Sequence, residues 1–329
     1  MPAFRIARRT LLAAGAAACL PLARAQSPAA YPTRPVRIIV GFPAGTGPDI
    51  VARLVARKLS ESWGNMGVIV DNKPGAGGLI AATEAARAAP DGYTLMLGET
   101  GQLAIAPSSY NKLPYAPAQD FAPVSHLVGA DFALLVNPQK VPARTLGQFV
   151  DWARQQKQLF MATFGAGTPG HFGAYMFGDA VKLRPEPVHY KTTSDALGGM
   201  YSGDVHAVFA SVGLAAPQVK AGKLLALATT GPERSASLPD VPTMKEQGLP
   251  RLVVETWYGM FAPAGTPAAV VSKLNTDVNA LLQQPDVREA FARQDLNAVG
   301  GTPERFGDMV SRELARWARV VAAAKIKAD

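Results

Sequence analysis

The sequence predicts an α/β protein of two lobes, each a mostly parallel sheet flanked by helices. Three observations predict it. Short β-branched runs alternate with helix-period segments from Val36 to Leu97. The alternation restarts at Phe132 and continues to Ala228. Each stretch contains one strand that runs through a Gly-rich turn into a helix, the βα joint of a parallel sheet.

The elements follow in order. Residues 36–40, Val-Arg-Ile-Ile-Val, make a first strand. Residues 50–63 carry Ile50, Val51, Leu54, Val55 and Leu59 at helical spacing. Residues 68–70 are a second strand, the Ala-rich 79–89 a helix, and 93–97 a third strand. In the second stretch, strands are expected at 132–136, 160–164, 188–190, 205–210 and 224–228. Helices are expected at 146–156, 171–181 and 194–201. Residues 268–284, 285–294 and 303–324 read as helices without further strands, so they are expected to return to the first lobe. The Pro/Gly-rich stretches 239–250 and 262–267 read as connections. The chain must then cross between lobes twice, near 125–131 and 249–256. That gives a discontinuous first lobe of 26–130 and 251–329 and a second lobe of 131–250.

Residues 1–25 have the layout of an export signal: basic residues first, an apolar run from Thr10 to Leu22, then Ala23-Arg24-Ala25. Cleavage is expected before Gln26, and the product is expected in the periplasm. Arg8-Arg9 fits either an ordinary secretory or a twin-arginine signal. The segment holds four arginines and no acid, so the net +8 of the whole chain falls to +4 without it. No dense Lys/Arg run with interleaved aromatics remains, which argues against nucleic acid as a partner. The only cysteine, Cys19, lies in the signal, so neither disulfide nor thiol chemistry is expected in the remainder.

The two Gly-rich turns are Gly41-Phe-Pro-Ala-Gly-Thr-Gly-Pro-Asp49 and Phe164-Gly-Ala-Gly-Thr-Pro-Gly-His171. Such turns gather unpaired backbone N–H groups at the positive end of a helix dipole, a setting for a carboxylate or phosphate. Gly-rich βα turns are also ordinary in any α/β protein; their recurrence in both lobes is what suggests one shared cleft. His171 could donate to an anion or be a helix-terminal surface residue. Asp49 could touch a ligand or simply favour the helix N-terminus. Gly165-Ala-Gly-Thr-Pro-Gly170 spells the dinucleotide fingerprint, but it lies mid-chain, Pro169 interrupts it, and no acid ends a following strand. There is no Gly-x-Ser-x-Gly elbow, and the four histidines are scattered. No cofactor, metal or catalytic residue is therefore expected.

Several longer segments occur together and in order: Tyr31-Pro-Thr-Arg-Pro-Val-Arg-Ile-Ile-Val, Asp71-Asn-Lys-Pro-Gly-Ala-Gly-Gly, Ala89-Pro-Asp-Gly-Tyr-Thr-Leu, Asp120-Phe-Ala-Pro-Val-Ser, Gly203-Asp-Val-His-Ala-Val-Phe, Leu238-Pro-Asp-Val-Pro-Thr and Phe261-Ala-Pro-Ala-Gly-Thr-Pro. In these the chain resembles the substrate-binding proteins of tripartite tricarboxylate transporters, the Bug-type receptors. The resemblance implies a two-lobed periplasmic binding protein fold with the ligand cleft between lobes. It further implies a monomeric, non-enzymatic receptor that captures a small organic carboxylate and delivers it to membrane transporter subunits. A secreted enzyme acting on a small acid and a sensor subunit for a signalling kinase are the alternatives. By resemblance, the ligand-binding residues are Phe42, Ala44, Gly45, Thr46, Gly47 and Asp49 in the first turn, and Gly165, Ala166, Gly167, Thr168 and His171 in the second. Thr100, Gly101, Tyr190, Lys191 and the position of Ala210 complete the set. The family commonly has Asp where this chain has Ala210, and Ser residues where it has Pro169-Gly170. Loss of that Asp favours a simple or aromatic acid over one bearing an amine or hydroxyl.

Overall fold

The structure is a computed structural model and describes residues 31–327; the expected signal and its cleavage site lie outside the described residues. The first strand, β1 (Val36–Val40), is followed by α1 (Gly47–Ser62), β2 (Val68–Asn72), α2 (Leu79–Ala86) and β3 (Thr94–Glu99). Strand β1 pairs in parallel with both β2 and β3. Its Val36, Ile38, Ile39 and Val40 are fully buried, as a central parallel strand covered on both faces requires. Helix α1 buries Val51, Leu54, Val55 and Leu59, its apolar stripe.

A π-helical turn (Gly101–Ile105) and two short helices, α3 (Ala106–Ser109) and α4 (Pro117–Asp120), lead into β4 (Phe121–Val136). Next come α5 (Leu146–Arg154), β5 (Leu159–Thr163), α6 (Pro169–Val181), β6 (Pro185–His189), α7 (Thr193–Ser202), β7 (Ala207–Ser211), α8 (Val212–Lys220) and β8 (Leu225–Thr229). The chain closes with β9 (Glu255–Pro263), α9 (Ala268–Leu282), α10 (Pro285–Ala292), β10 (Asn297–Ala298) and α11 (Pro303–Ala324).

The strand order is β2-β1-β3-β9-β4-β7-β5-β6, with β8 and β10 also paired to β4. Each end of this order is a parallel trio, β2-β1-β3 on one side and β7-β5-β6 on the other. The trios are joined by β9 and β4, which run antiparallel to each other. Residues 125–131, near which the sequence places the first crossing, lie within the sixteen-residue β4, whose Phe121–Asp131 part pairs with β9 and whose Phe132–Val136 part pairs with β7 and β8. The switch between sheets happens within one strand. Strand β9, helix α8 and the short β10 were missed. In β9 every residue from Thr256 to Pro263 is buried, so no polar alternation marks it. Its Gly259 reads as a breaker, yet a Cβ there would sit in the ring of Phe306.

The two chain passages between sheets are pinned to each other. The buried Thr230 hydroxyl accepts the Phe132 amide at 2.9 Å and donates to the Val254 carbonyl. The C-terminal helices do return to the first sheet, where α9 covers α1 and β4. Helix α11 does more. Its fully buried Trp317 meets Phe172 of α6 at 5.8 Å between ring centroids, and the Tyr175 hydroxyl of α6 donates to the Ala323 carbonyl at 2.8 Å.

Candidate functional site

The two Gly-rich turns have the same local construction. Each follows the carboxyl end of a parallel strand, β1 or β5. In each, a glycine turns the chain at positive φ, Gly45 at +79° and Gly167 at +74°, a conformation open to glycine at no steric cost. An extended threonine follows as N-cap: Thr46 at φ −81°, ψ 164° and Thr168 at φ −82°, ψ 158°. A proline then sits in the first helical turn, Pro48 or Pro169, where a missing N–H costs nothing.

Beneath each turn, a side chain four residues after the glycine takes the glycine's amide. The Gly45 amide donates to Asp49 Oδ2 at 2.8 Å, and the Gly167 amide donates to His171 Nδ1 at 3.2 Å. Asp49 also accepts Arg53 Nε at 2.9 Å and Asn72 Nδ2 at 2.9 Å. Burial raises its pKa, but the Arg53, Gly45 and Asn72 hydrogen bonds together hold it below the usual carboxylate value. His171 is pushed down to about 4, by burial first and by neighbouring His189 second, so at neutral pH it is an uncharged acceptor. With Gly45 and Gly167 tied underneath, the amides of Ala44 and Gly47, and of Thr168 and Gly170, find no backbone acceptor among the described residues.

Those four residues line one cavity of about 510 Å³ between the turns. Phe42, Ala44, Gly45, Thr46, Gly47, Thr168 and Lys191 of the expected set line it; the other nine do not. Asp49 and His171 brace the turns from below. Gly165, at φ +123°, and Ala166 shape the second turn, and Gly167 lies buried within it. The buried Thr100 hydroxyl accepts the Trp257 amide at 2.9 Å and so ties β3 to β9. The amide of Gly101 serves Glu99. Tyr190 is turned toward α7, where a Cβ on Gly199 would collide with its hydroxyl. Ala210 is fully buried in β7, and its neighbour Ser211 lines the cavity instead.

Sequence reasoning missed the cavity floor, formed by Glu99, Thr256 and Tyr258. Glu99 ends β3, so an acid at the carboxyl end of a parallel strand was the available signal. Burial pushes its carboxyl up to about 7 against the opposing pull of the Gly101 and Gln102 amides and Thr256. Lys191 is the cation lining the cavity, exposed and without an ion pair among the described residues. No cluster of His, Cys, Asp or Glu suited to a metal occurs among the described residues.

A family model described as the tripartite tricarboxylate transporter family receptor matches residues 51–326. The chain belongs to this receptor family. Protein BugT of Bordetella pertussis is 34% identical over 297 residues, covering 88% of this chain and 89% of BugT. The solved structure of MatC from Rhodopseudomonas palustris with bound malate is 34% identical, with a TM-score of 0.82, over 88% of this chain and 100% of that one. R. palustris Rpa4515 with adipate is 32% identical, with a TM-score of 0.85, over 90% and 99%. The tripartite transporter receptor is thus a two-lobed solute-binding protein and not an enzyme. In this receptor the Pro169-Gly170 departure lines the cavity. A Cβ on Gly170 would stand 2.9 Å from the Phe209 carbonyl, so a side chain there would displace the second turn.

Proposed function

We propose that the chain is exported to the periplasm with cleavage before Gln26, binds a small organic carboxylate in the cavity between its turns, and delivers it to the membrane subunits of a tripartite transporter. The carrying observation is the pair of matching turns whose Ala44, Gly47, Thr168 and Gly170, with amides that have no backbone acceptor among the described residues, line one cavity. Free N–H groups at two helix N-termini favour an anion, and Lys191 adds a positive charge at the rim. The malate and adipate held by two relatives support a carboxylate as the ligand class. Among the described residues no helix is long and apolar enough to cross a membrane.

The first test is calorimetric titration and thermal melting with mono-, di- and tricarboxylates, aromatic acids included. A ligand at about 100 times its Kd should stabilise the protein by about 2.7 kcal/mol. A panel that gives neither heat nor a melting shift would sink the proposal. Turnover assays on the same acids should show none consumed.

A ligand held by both turns also favours the closed arrangement. The proposed moving bodies are residues 26–130 with 251–329, and residues 131–250. Strand switching at Asp131–Phe132 and the Thr230 pin to Val254 support hinges at those points. Small-angle scattering should give a smaller radius of gyration with saturating ligand, and an unchanged curve beside proven binding would mean a preformed cleft. Trp257, beside the second hinge, should report closure by fluorescence. Trp317 should respond too, because it packs on Phe172 across the lobes.

A further inference from the structure

We propose that Glu99 determines the specificity of the cleft, selecting carboxylates that carry a second, hydrogen-bond-donating group, a hydroxyl or an ammonium. The inference rests on the receptor reading above and goes on to name its ligand class. Glu99 is only 5% exposed, yet it lines the cavity. Its carboxylate is fixed in place by the turn that follows β3. The Gln102 amide donates to Oε1 at 3.0 Å, and the Gly101 backbone is so close that a Cβ there would lie 2.5 Å from Oε1. The Gln102 side chain closes the ring: its Oε1 accepts the Glu99 amide at 3.2 Å, and its Nε2 donates to the Gly78 carbonyl at 2.8 Å. An ionised carboxylate has about four acceptor sites. The Gln102 and Gly101 amides take part of that capacity, the Thr256 hydroxyl is placed to donate to Thr100, and Glu99 lines the cavity with acceptor capacity to spare.

Tyr258 is the cross-strand partner of Glu99. Its hydroxyl reaches the first turn, 3.1 Å from where a Cβ on Gly47 would stand. The acid therefore lies one aromatic side chain away from the amides proposed to hold the ligand carboxylate. The titratable groups around it are Tyr115 and Tyr258, both kept neutral by burial, and Lys191 on the rim. A ligand that puts a second carboxylate against Glu99 meets like charge, whereas one that puts a hydroxyl or ammonium there completes the acceptor. This reverses the expectation drawn from Ala210: an acid is present in the cleft, supplied by β3 rather than β7.

The sign of the pH dependence follows. A donor group favours ionised Glu99, so its binding strengthens as pH rises through about 7. A plain diacid favours the protonated form, so its binding weakens over the same range.

The test is calorimetry on the purified receptor with three matched sets: succinate, malate and aspartate; adipate and 2-aminoadipate; 3-phenylpropionate and phenyllactate. Titrations at about pH 6 and about pH 8, in buffers of different ionisation enthalpy, also count protons exchanged. At the higher pH, donor-bearing members should bind about 10- to 100-fold tighter than their plain counterparts, as expected of a hydrogen bond to a charged group; at the lower pH, where Glu99 is mostly protonated, their binding should release protons. In Glu99→Gln, the neighbouring amides retain the carbonyl oxygen and turn the NH2 to the cavity, so the preference should fall or reverse and the proton exchange vanish. Equal binding within every set at the higher pH, proton uptake with the donor-bearing acids, or an unchanged preference in Glu99→Gln would overturn the inference while leaving the receptor reading intact. No binding by any acid would overturn both. The proton count on the unsubstituted protein decides the matter even if Glu99→Gln does not fold.

Discussion

Gly167→Val is expected to lower carboxylate affinity at least about 100-fold while the protein stays folded. Gly167 sits at φ +74°, where a β-branched residue is a true outlier and the strain is about 1–3 kcal/mol. The turn relieves that strain by rotating its peptides. Rotation breaks the bond from the Gly167 amide to His171 and swings the Thr168 and Gly170 amides out of the cavity. Each hydrogen bond to a charged ligand contributes about 1.5–3 kcal/mol, so losing two accounts for the expected factor. The core of this lobe, with Phe149, Phe177 and Phe209, is built from other residues, so the melting temperature should fall only a few degrees. Titration calorimetry beside a melting curve checks both halves. Full affinity in a folded variant would remove the second turn from the site. The strain also amends the simpler idea that a valine merely fills the ligand's space: at Gly45 no atom lies within 4 Å of an added Cβ, but φ is +79°, so backbone geometry acts there first.

Asp49→Ala is expected to cost about 2–4 kcal/mol of stability and most of the binding. Asp49 is 2% exposed, and its two oxygens serve the Gly45 amide, Arg53 and Asn72. Removing it strands the Gly45 amide and one donor of Asn72. Asn72 also holds the Phe42 carbonyl at 2.9 Å, so the whole first turn loosens. Denaturant unfolding measures the stability and calorimetry the affinity. An Asp49→Ala protein with normal stability would mean that the turn holds its shape without this network. Acid adds a second readout. The folded-state pKa of Asp49 lies below its ordinary value of 3.8, so the ionised form stabilises the fold fully above that value. The contribution is lost as pH falls through the folded value. The variant should lack this part of the acid sensitivity, and its deficit relative to the parent should shrink below about pH 4.

Much of this protein was legible along the chain because its information is local. The βα units of 36–97 and 159–181 announce themselves through β-branched runs, helical spacing and turns that combine Gly, Thr and Pro, all within a few residues. The two turns could be singled out for the same reason, and seven of the residues expected to touch ligand do line the cavity. What tertiary structure alone decided involves partners distant in sequence. Strand β9 is held by β3 and β4 on its edges and buried on both faces, so it carries no alternation to read. Gly259 looks like a breaker until the Phe306 ring, 47 residues later, is laid against it. Glu99 reads as a polar strand end; Thr256 and Tyr258, from a strand more than 150 residues away, make it a buried acid on the cavity floor. Asp49 and His171 were visible as polar residues beside the turns, but whether they face a ligand or brace the backbone depends on where their hydrogen bonds go. Spacing determines which residues share an element; the charge state and orientation of a side chain are set by what packs on it, and that is known only once the lobes are assembled.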